Sequence, residues 1–225
     1  MILVTGGTGR LGGQVVRALR ERGHEVRALT RKPQAAQDGV NWIAGDLAKP
    51  EALADLCEGA DAVIHVAGLT NTPDIAEFET ANVTGTIAVI AAMRARGVKR
   101  LVFVSSLSAR EPQLSAYGAS KARAEQVVEA SGLDWTTVRP PGVYGPRDID
   151  YLDMFRTAKW GFVPLPPGGA SSIIHADDLA RLLVTLAASN AASTRKKTYE
   201  PDDGREGGDR RLGLRRVETV LTADC

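Results

Sequence analysis

The sequence predicts a doubly wound α/β domain, in which a parallel sheet carries helices on both faces, with a small, incomplete C-terminal substrate lobe from residues 140–200. Three observations predict this fold. The chain opens with a short apolar stretch, a glycine-rich turn and a helical pattern. Strand-like and helix-like patterns then alternate along most of its length. A cluster of serines follows the fifth predicted strand, at the edge where open parallel sheets bind ligands.

Composition is compatible with one domain and argues against several kinds of partner. The 225 residues are 44% hydrophobic, enough to bury one core. A net charge of +1 gives no general reason to bind nucleic acid or an anionic membrane, and no apolar run approaches the roughly 20 residues that span a bilayer. Cys57 and Cys225 show no metal-ligand spacing, and Met1 leads directly into the first strand. We therefore expect a cytoplasmic protein with no signal peptide and no metal site.

The first strand is followed by the turn Gly6-Gly7-Thr8-Gly9-Arg10-Leu11-Gly12. Spaced glycines between a strand and a helix are typical of dinucleotide binding, although an ordinary glycine-rich turn is the alternative. Gly6 permits the tight turn, Gly9 removes a Cβ that would obstruct a pyrophosphate, and Gly12 lets the helix pack closely on the strand. The N-terminus of that helix then offers free N–H groups to the phosphates.

The second predicted strand, residues 24–30, ends at Arg31 and Lys32. In a nucleotide-binding βαβ unit, this end of the strand faces the adenosine ribose. An acid there would bind a free 2′-hydroxyl, whereas an arginine accommodates a 2′-phosphate. Two cations and no acid favour NADP(H) over NAD(H). The alternative is that both are solvated loop charges.

Further strands and helices complete the predicted sheet. The predicted strands span residues 40–44, 61–69, 98–104 and 133–139, with another near 198–200, and the predicted helices span 51–58, 72–96 and 153–160. His65 lies between apolar neighbours and is interpreted as a packed core histidine rather than a catalytic base. Asp177 or Asp178 is expected to cap a helix that continues to about Ala188.

Tyr117 and Lys121 lie four residues apart on one face of the helix that follows Ser105, Ser106 and Ser108. A phenol with a pKa of about 10 is a poor acid–base group at neutral pH, and a nearby cation favours the phenolate. Each unit by which the pKa falls requires about 1.4 kcal/mol of differential stabilisation. We therefore expect the Lys121 ammonium, together with the positive ring of an oxidised cofactor, to lower the pKa of Tyr117.

These motifs together resemble the short-chain dehydrogenase/reductase superfamily, particularly its extended and atypical members with domains of the NAD-dependent epimerase/dehydratase type. The resemblance rests on the glycine spacing, on Tyr-x-x-x-Lys after the serine-bearing strand, on Asn-Val-x-Gly-Thr at 82–86, and on Arg-Pro-x-x-Val-Tyr-Gly-Pro at 139–146. It covers nearly all of residues 1–208. It implies an NAD(P)-binding Rossmann fold, with NADP preferred and NAD as the alternative cofactor.

The resemblance also implies residue roles. Tyr117 would be the general acid/base, Lys121 its activator, and Ser106 the hydroxyl that orients the substrate oxygen, with Ser105 and Ser108 as alternatives for the serine. Asp46 would bind the adenine, although it could instead cap the helix that begins near Pro50. The cofactor site implied in this way comprises Gly6, Thr8, Gly9, Arg10, Leu11, Gly12, Arg31, Lys32, Asp46, Leu47, Ala67, Gly68, Asn82, Ser105, Lys121, Pro140 and Val143.

The implied activity is an NAD(P)-dependent oxidoreductase or epimerase/dehydratase-like reaction, with hydride passing between nicotinamide and a carbinol or carbonyl carbon of a small-molecule substrate. The short segment between Ser106 and Tyr117 argues against a nucleotide-sugar substrate. A second hypothesis is a non-catalytic NADP(H)-binding redox sensor or an accessory subunit of a respiratory complex. Relatives often dimerise through the Tyr117 helix and the long helix before it, so a homodimer is an option.

Residues 209–225 differ in character from the domain of residues 1–208. Arginines at positions 210, 211, 215 and 216 interrupt any helical apolar stripe, and the resemblance ends here. We predict a disordered, non-functional tail that arises from truncation or a change of reading frame. The alternative is an arginine-rich segment that binds an acidic partner.

Overall fold

The computed structural model describes residues 1–146, 172–202 and 213–217, the last of these by their backbone alone. The strands are β1 (Ile2–Thr5), β2 (Val26–Thr30), β3 (Val40–Ala44), β4 (Ala62–His65), β5 (Arg100–Val104), β6 (Asp134–Val138), β7 (Gly142–Tyr144), β8 (Ile173–His175), β9 (Lys197–Asp202) and β10 (Gly213–Val217). The helices are α1 (Arg10–Glu21), α2 (Pro50–Cys57), α3 (Ile75–Phe78), α4 (Gly85–Ala95), α5 (Ala116–Glu129) and α6 (Ala176–Ala188).

The main sheet has the strand order β10-β9-β6-β5-β4-β1-β2-β3. Every neighbouring pair from β9 to β3 is parallel, and β10 pairs with β9 in the antiparallel direction. The chain first moves outward from β1 to β3 and then returns to build β4, β5 and β6 on the other side of β1. This reversal places a topological switch point between β1 and β4, where doubly wound sheets bind ligands. The predicted fold class is confirmed.

Helices cover both faces of the sheet. Side chains alternate along a strand, so Ile2 and Val4 of β1 pack with α1 and α6, whereas Leu3 packs with α2 and α4 on the opposite face. Burial on both faces explains why the first strand is a continuous apolar run rather than an alternating one. The long helix predicted over residues 72–96 is divided into α3, a π-helical segment (Glu79–Thr84) and α4.

The start of α6 differs from the sequence prediction. The side chain of His175 caps this helix, because its Nδ1 accepts a hydrogen bond from the Asp177 N–H at 3.2 Å. Asp177 instead forms an ion pair with Arg17 of α1 at 2.7 Å. The prediction that Asp177 or Asp178 caps the helix is therefore wrong, since the residue immediately before the first turn already supplies the acceptor.

The C-terminal part of the chain contributes a second, smaller sheet and further strands of the main sheet. β7 and β8 form a separate two-stranded parallel sheet. The helix predicted over 153–160 lies outside the described residues. Within the segment predicted to be a disordered tail, residues 213–217 form β10; the domain boundary at residue 208 stays a prediction. No helix in the described part of the chain combines the length and apolar character needed to cross a bilayer.

Candidate active site

A cleft of about 1510 Å³ runs along the carboxyl ends of the parallel strands. Most of the predicted site residues lie in its wall: Gly6, Thr8, Gly9, Arg10, Leu11, Gly12, Arg31, Asp46, Leu47, Ala67, Gly68, Ser105, Ser106, Tyr117, Lys121, Pro140 and Val143. Two predicted residues, Lys32 and Asn82, are not part of the wall. The fold therefore brings together residues that are spread over more than 130 positions of the sequence.

The glycine turn is packed too closely for side chains at two positions. Gly6 has a φ of +73°, and a Cβ there would lie 2.8 Å from the Ala67 nitrogen. A Cβ on Gly12 would overlap the carbonyl oxygen of Gly6. The Gly9 N–H donates to that same oxygen at 2.9 Å, which closes the turn immediately before α1. The N-terminus of α1 thus opens onto the cleft and can receive phosphates.

One end of the cleft is lined by residues from the ends of β2 and β3. The exposed Arg31 is one of these residues, the exposed Arg10 at the start of α1 also lines the cleft, and Lys32 is not part of the wall. Asp46 Oδ1 accepts from the Ala48 N–H at 2.9 Å in a local turn, and the N-cap of α2 is Lys49. Asp46 is therefore not the cap of α2, which leaves it in the cleft wall.

Asn82 lies behind the cleft rather than in it. It is 1% exposed, and its side chain accepts from the Leu69 N–H at 2.7 Å and donates to the Leu69 carbonyl oxygen at 3.0 Å. It also donates to the Ser120 hydroxyl at 2.9 Å. The amide of Asn82 holds the 68–69 loop against α5, and direct contact between Asn82 and a cofactor stays a prediction. Asn82 lies in the π-helical segment, and π-helical turns are frequent at functional sites.

His65 is fully buried behind the cleft, with a neutral ring. The Thr86 hydroxyl donates to the Asn82 carbonyl oxygen at 2.6 Å, so it accepts from His65 Nε2 at 3.0 Å. We therefore assign the proton to Nε2, which leaves Nδ1 to accept from the Thr5 hydroxyl at 2.6 Å. Burial, with a smaller contribution from the Lys121 charge, lowers the pKa of His65 to about 3. This arrangement matches the interpretation of His65 as a core histidine.

Ser106 and Tyr117 meet in the cleft. Ser115 begins α5 by accepting a hydrogen bond from the Gly118 N–H at 2.9 Å, which places Tyr117 in the first turn. The phenol lies close enough to the Ser106 hydroxyl for that group to act on its pKa, and both residues line the cleft. Ser106 Oγ accepts from the Ser108 N–H at 3.2 Å, which orients it. The pair that the sequence predicted is therefore assembled at the end of β5.

In the cofactor-free protein the pKa of the Tyr117 phenol is raised, whereas the sequence predicts a lowered pKa with an oxidised cofactor bound. Burial raises the pKa of its phenol above the ordinary 10.0, and the Ser106 hydroxyl opposes this only in part. The Lys121 ammonium donates to the Val104 carbonyl oxygen at 2.7 Å and lies 4.6 Å from the centre of the Phe103 ring. The lowering of this pKa by Lys121 together with a bound oxidised cofactor stays a prediction, and in the cofactor-free protein Tyr117 is protonated at neutral pH.

Lys121 is 4% exposed. Burial lowers its pKa from the ordinary 10.5 to about 8, and the carboxylate of Glu125 acts in the opposite direction. Burial penalises the ammonium because a charge is poorly solvated in the protein interior. Lys121 therefore remains mostly cationic near pH 7, but with a much smaller margin than a surface lysine.

The buried Ser105 hydroxyl lines the cleft without a hydrogen-bond partner among the described residues. Buried hydroxyl groups normally have a partner. An unpartnered donor and acceptor beside the glycine cradle fits a polar ligand such as a dinucleotide. Sequence reasoning missed the supporting residues Thr5, Thr86 and Ser120, since their only signal is polarity within apolar elements.

The switch-point cleft and the glycine cradle define a dinucleotide-binding Rossmann protein. A family model described as NAD(P)H-binding matches residues 6–190, and the chain belongs to this family. The chain is 41% identical over 193 residues to a ceramide reductase of Caulobacter vibrioides, covering 83% of this chain and 60% of that protein. It is 35% identical over 234 residues to a 2-alkyl-3-oxoalkanoate reductase of Stenotrophomonas maltophilia, covering 90% and 70%.

A solved structure supports the same assignment. The dTDP-glucose 4,6-dehydratase DesIV of Streptomyces venezuelae, a double mutant solved with NAD bound, matches with a TM-score of 0.71 and 26% identity. The match covers 89% of this chain and 74% of that one. The predicted membership of the short-chain dehydrogenase/reductase superfamily and the predicted NAD(P) cofactor are confirmed at this level.

Proposed function

We propose that this protein is an NAD(P)H-dependent reductase that converts a ketone of a small-molecule substrate into an alcohol. The placement of Tyr117 beside Ser106 in the wall of the dinucleotide cleft carries this proposal. The phenol is protonated at neutral pH and so holds the proton that ketone reduction must deliver, and a bound cofactor together with the Lys121 cation would lower its pKa for the transfer. The two relatives named above as reductases support the same reaction class.

Each residue of the site has its own role in the proposed reaction. The cleft would hold NAD(P)H, which would supply the hydride for the carbonyl carbon. Ser106 donates a hydrogen bond to the carbonyl oxygen and so orients it. Tyr117 transfers its proton to the same oxygen as negative charge develops there, which completes the alcohol. The Lys121 cation would hold the nicotinamide ribose hydroxyls of a bound cofactor and would stabilise the phenolate that Tyr117 leaves behind.

NADP(H) is the proposed form of the cofactor. Arg31 lies at the end of β2, where a 2′-phosphate would sit, and Arg10 also lines the cleft. Arginine forms paired hydrogen bonds with phosphate oxygens, which makes two arginines a suitable receptor for this group. Lys32 is not part of the cleft wall and is left out of this role.

The proposed substrate is a ketone that carries an alkyl chain. Beyond Tyr117, the cleft is bordered by Leu107, Leu114 and Tyr144, and Leu114 is 77% exposed. Exposed apolar side chains at the border of a cleft favour an apolar ligand. A relative whose name specifies a 2-alkyl-3-oxoalkanoate is consistent with this chemistry.

The test is the oxidation of NADPH in the presence of 2-alkyl-3-oxoalkanoates of increasing chain length. We expect turnover by the wild-type chain and a loss of about 10²–10⁴-fold in kcat for Tyr117→Phe, which removes the acid. Tyr199→Phe is the matched control, because that phenol lies on β9, outside the cleft wall. NADPH binding without Tyr117-dependent turnover would instead favour a non-catalytic sensor or accessory subunit.

We also propose a homodimer formed through α4 and α5. The outer faces of these helices border a shallow apolar groove that includes Ile87, Ala91 and Val127, and Ile87 is 48% exposed. Light scattering should give twice the chain mass for wild type and a lower mass for Ile87→Asp. Ile75→Asp, at an exposed apolar residue of α3, is the control. A wild-type protein with the mass of one chain would contradict this proposal.

A further inference from the structure

A buried ion pair lies one helical turn beyond Lys121. Glu125 of α5 is 4% exposed, and both of its oxygens are bound by Arg139, which follows β6. Arg139 Nε donates to Oε1 at 2.9 Å and Nη2 donates to Oε2 at 2.6 Å. A two-point contact of this kind orients the carboxylate as well as neutralising it.

The ion pair continues into a chain of charges. Arg139 Nη1 donates to Glu200 of β9 at 3.2 Å, and the other oxygen of Glu200 lies 3.5 Å from Arg110. Arg110 in turn lines the cleft. Arg139 therefore holds the Glu125 carboxylate in one place on α5, and Glu200 and Arg110 extend the chain of charges to the cleft wall.

The surroundings of Lys121 explain why a fixed carboxylate matters. From β5, its ammonium meets only the Val104 carbonyl oxygen and the Phe103 ring. From β4, it faces the neutral His65, and along its own helix it has the protonated Tyr117 on one side and Glu125 on the other. Among the described residues, Glu125 is the carboxylate whose charge favours the cation against burial.

We propose that Glu125, fixed by Arg139, is a positioning residue that keeps Lys121 protonated in the active site. The catalytic consequence rests on the proposed reductase function, whereas the electrostatic effect itself does not. The i,i+4 spacing on α5 places the two side chains on the same face, so the carboxylate acts over a short distance through the protein interior. Without it, burial would leave Lys121 largely neutral at physiological pH.

A purely structural role for the Glu125–Arg139 pair can be distinguished from the proposed effect on Lys121. Glu125→Gln and Arg139→Gln both break the pair and both leave a buried partner unsatisfied. If the pair only holds α5 against the sheet, the two variants should affect Lys121 alike. If the carboxylate supports the cation, only Glu125→Gln should lower the pKa of Lys121, because Arg139→Gln keeps the negative charge.

The direct measurement is a pH titration of the cofactor-free protein labelled with ¹³C-lysine, followed by NMR and assigned with Lys121→Met. We expect the pKa of Lys121 to be near 8 in wild type and to fall by roughly one pH unit in Glu125→Gln. It should not fall in Arg139→Gln. Glu129→Gln, which removes the same charge one turn further along α5, should leave it unchanged. Glu125→Gln should also move the alkaline limb of the kcat/KM profile to lower pH.

The proposal is overturned if the pKa of Lys121 is unchanged in Glu125→Gln, or falls equally in Arg139→Gln. Should either single variant fail to fold, the double variant Glu125→Gln/Arg139→Gln removes both charges together and leaves no unpaired ion. It should still lower the pKa of Lys121, although by less, and an unchanged value there would also refute the proposal. A shifted Lys121 without any ketone turnover would refute the reductase function alone.

Discussion

Replacing Lys121 by methionine should stabilise the fold while it abolishes turnover. The pKa of Lys121 falls from 10.5 to about 8 on burial. This difference corresponds to about 3 kcal/mol by which the buried ammonium lowers the free energy of unfolding near neutral pH. Methionine fills similar space but leaves the Val104 carbonyl oxygen without its donor, which costs about 1–2 kcal/mol. The net expectation is a gain of about 1–2 kcal/mol.

The pH dependence of stability is a separate test of whether the buried Lys121 ammonium lowers the free energy of unfolding. The unfolded lysine holds its proton up to about pH 10.5, whereas the folded one releases it near pH 8. Between these values the unfolded state binds more protons, so the contribution of Lys121 to the free energy of unfolding rises with pH. Below pH 8 its full unfavourable contribution is present. Lys121→Met should lack this rise.

Urea unfolding of the cofactor-free protein, followed by circular dichroism at several pH values from 7 to 10, measures both effects. Lys99→Met is the matched control, because the exposed Lys99 precedes β5 on the surface. Equal stability of Lys121→Met and wild type at pH 7, together with parallel stability curves up to pH 10, would refute the reasoning. It would mean that burial does not destabilise this ammonium.

Three further predictions concern the cleft and the core. In fluorescence titrations, Arg31→Gln should weaken NADPH binding about tenfold and leave NADH binding unchanged. Lys32→Gln is the control and should leave the affinity for both cofactors unchanged. Equal losses of NADPH and NADH affinity in Arg31→Gln would contradict the 2′-phosphate role. Gly12→Ala should abolish NADPH binding, because its Cβ overlaps the Gly6 carbonyl oxygen. Gly23→Ala, at a φ of +74° with open space around it, should lose only about 1–2 kcal/mol of stability and still bind. Burial raises the pKa of Cys57 to about 11, so iodoacetamide should label it, in peptide mapping, only after unfolding.

Local patterns were sufficient to predict the nucleotide-binding half of the molecule. The backbone at Gly6 and Gly12 accepts no side chain, and this requirement is visible as glycine in the sequence. Continuous apolar runs at β1 and β4 reflect burial on both faces, which identifies a parallel sheet without any tertiary information. The cap of α6 was harder, because His175 and Asp177 both offer acceptors at its start and only the folded geometry selects between them.

The sequence could not indicate which polar residues reach the cleft. Arg31 and Lys32 are adjacent cations, yet only Arg31 lines the wall, since successive residues after a strand point in different directions. Asn82 is a polar residue in an otherwise apolar stripe, which suggests ligand binding, but it lies in a π-helical segment and its side chain binds the Leu69 backbone. These outcomes depend on segments that are far apart in the chain.

By itself, the sequence determined the succession of β1 to β6 along the chain, the glycine cradle, and the placement of Ser106 and Tyr117 near the end of β5, because each follows from local spacing and from the geometry of parallel sheets. Only the tertiary structure decided the protonation of the site. Burial keeps the Tyr117 phenol protonated, and Lys121 points to Val104 rather than to that phenol. The Glu125–Arg139 pair joins α5 to the end of β6. A pKa depends on the solvation and the charges that distant segments bring together, and spacing along the chain contains neither.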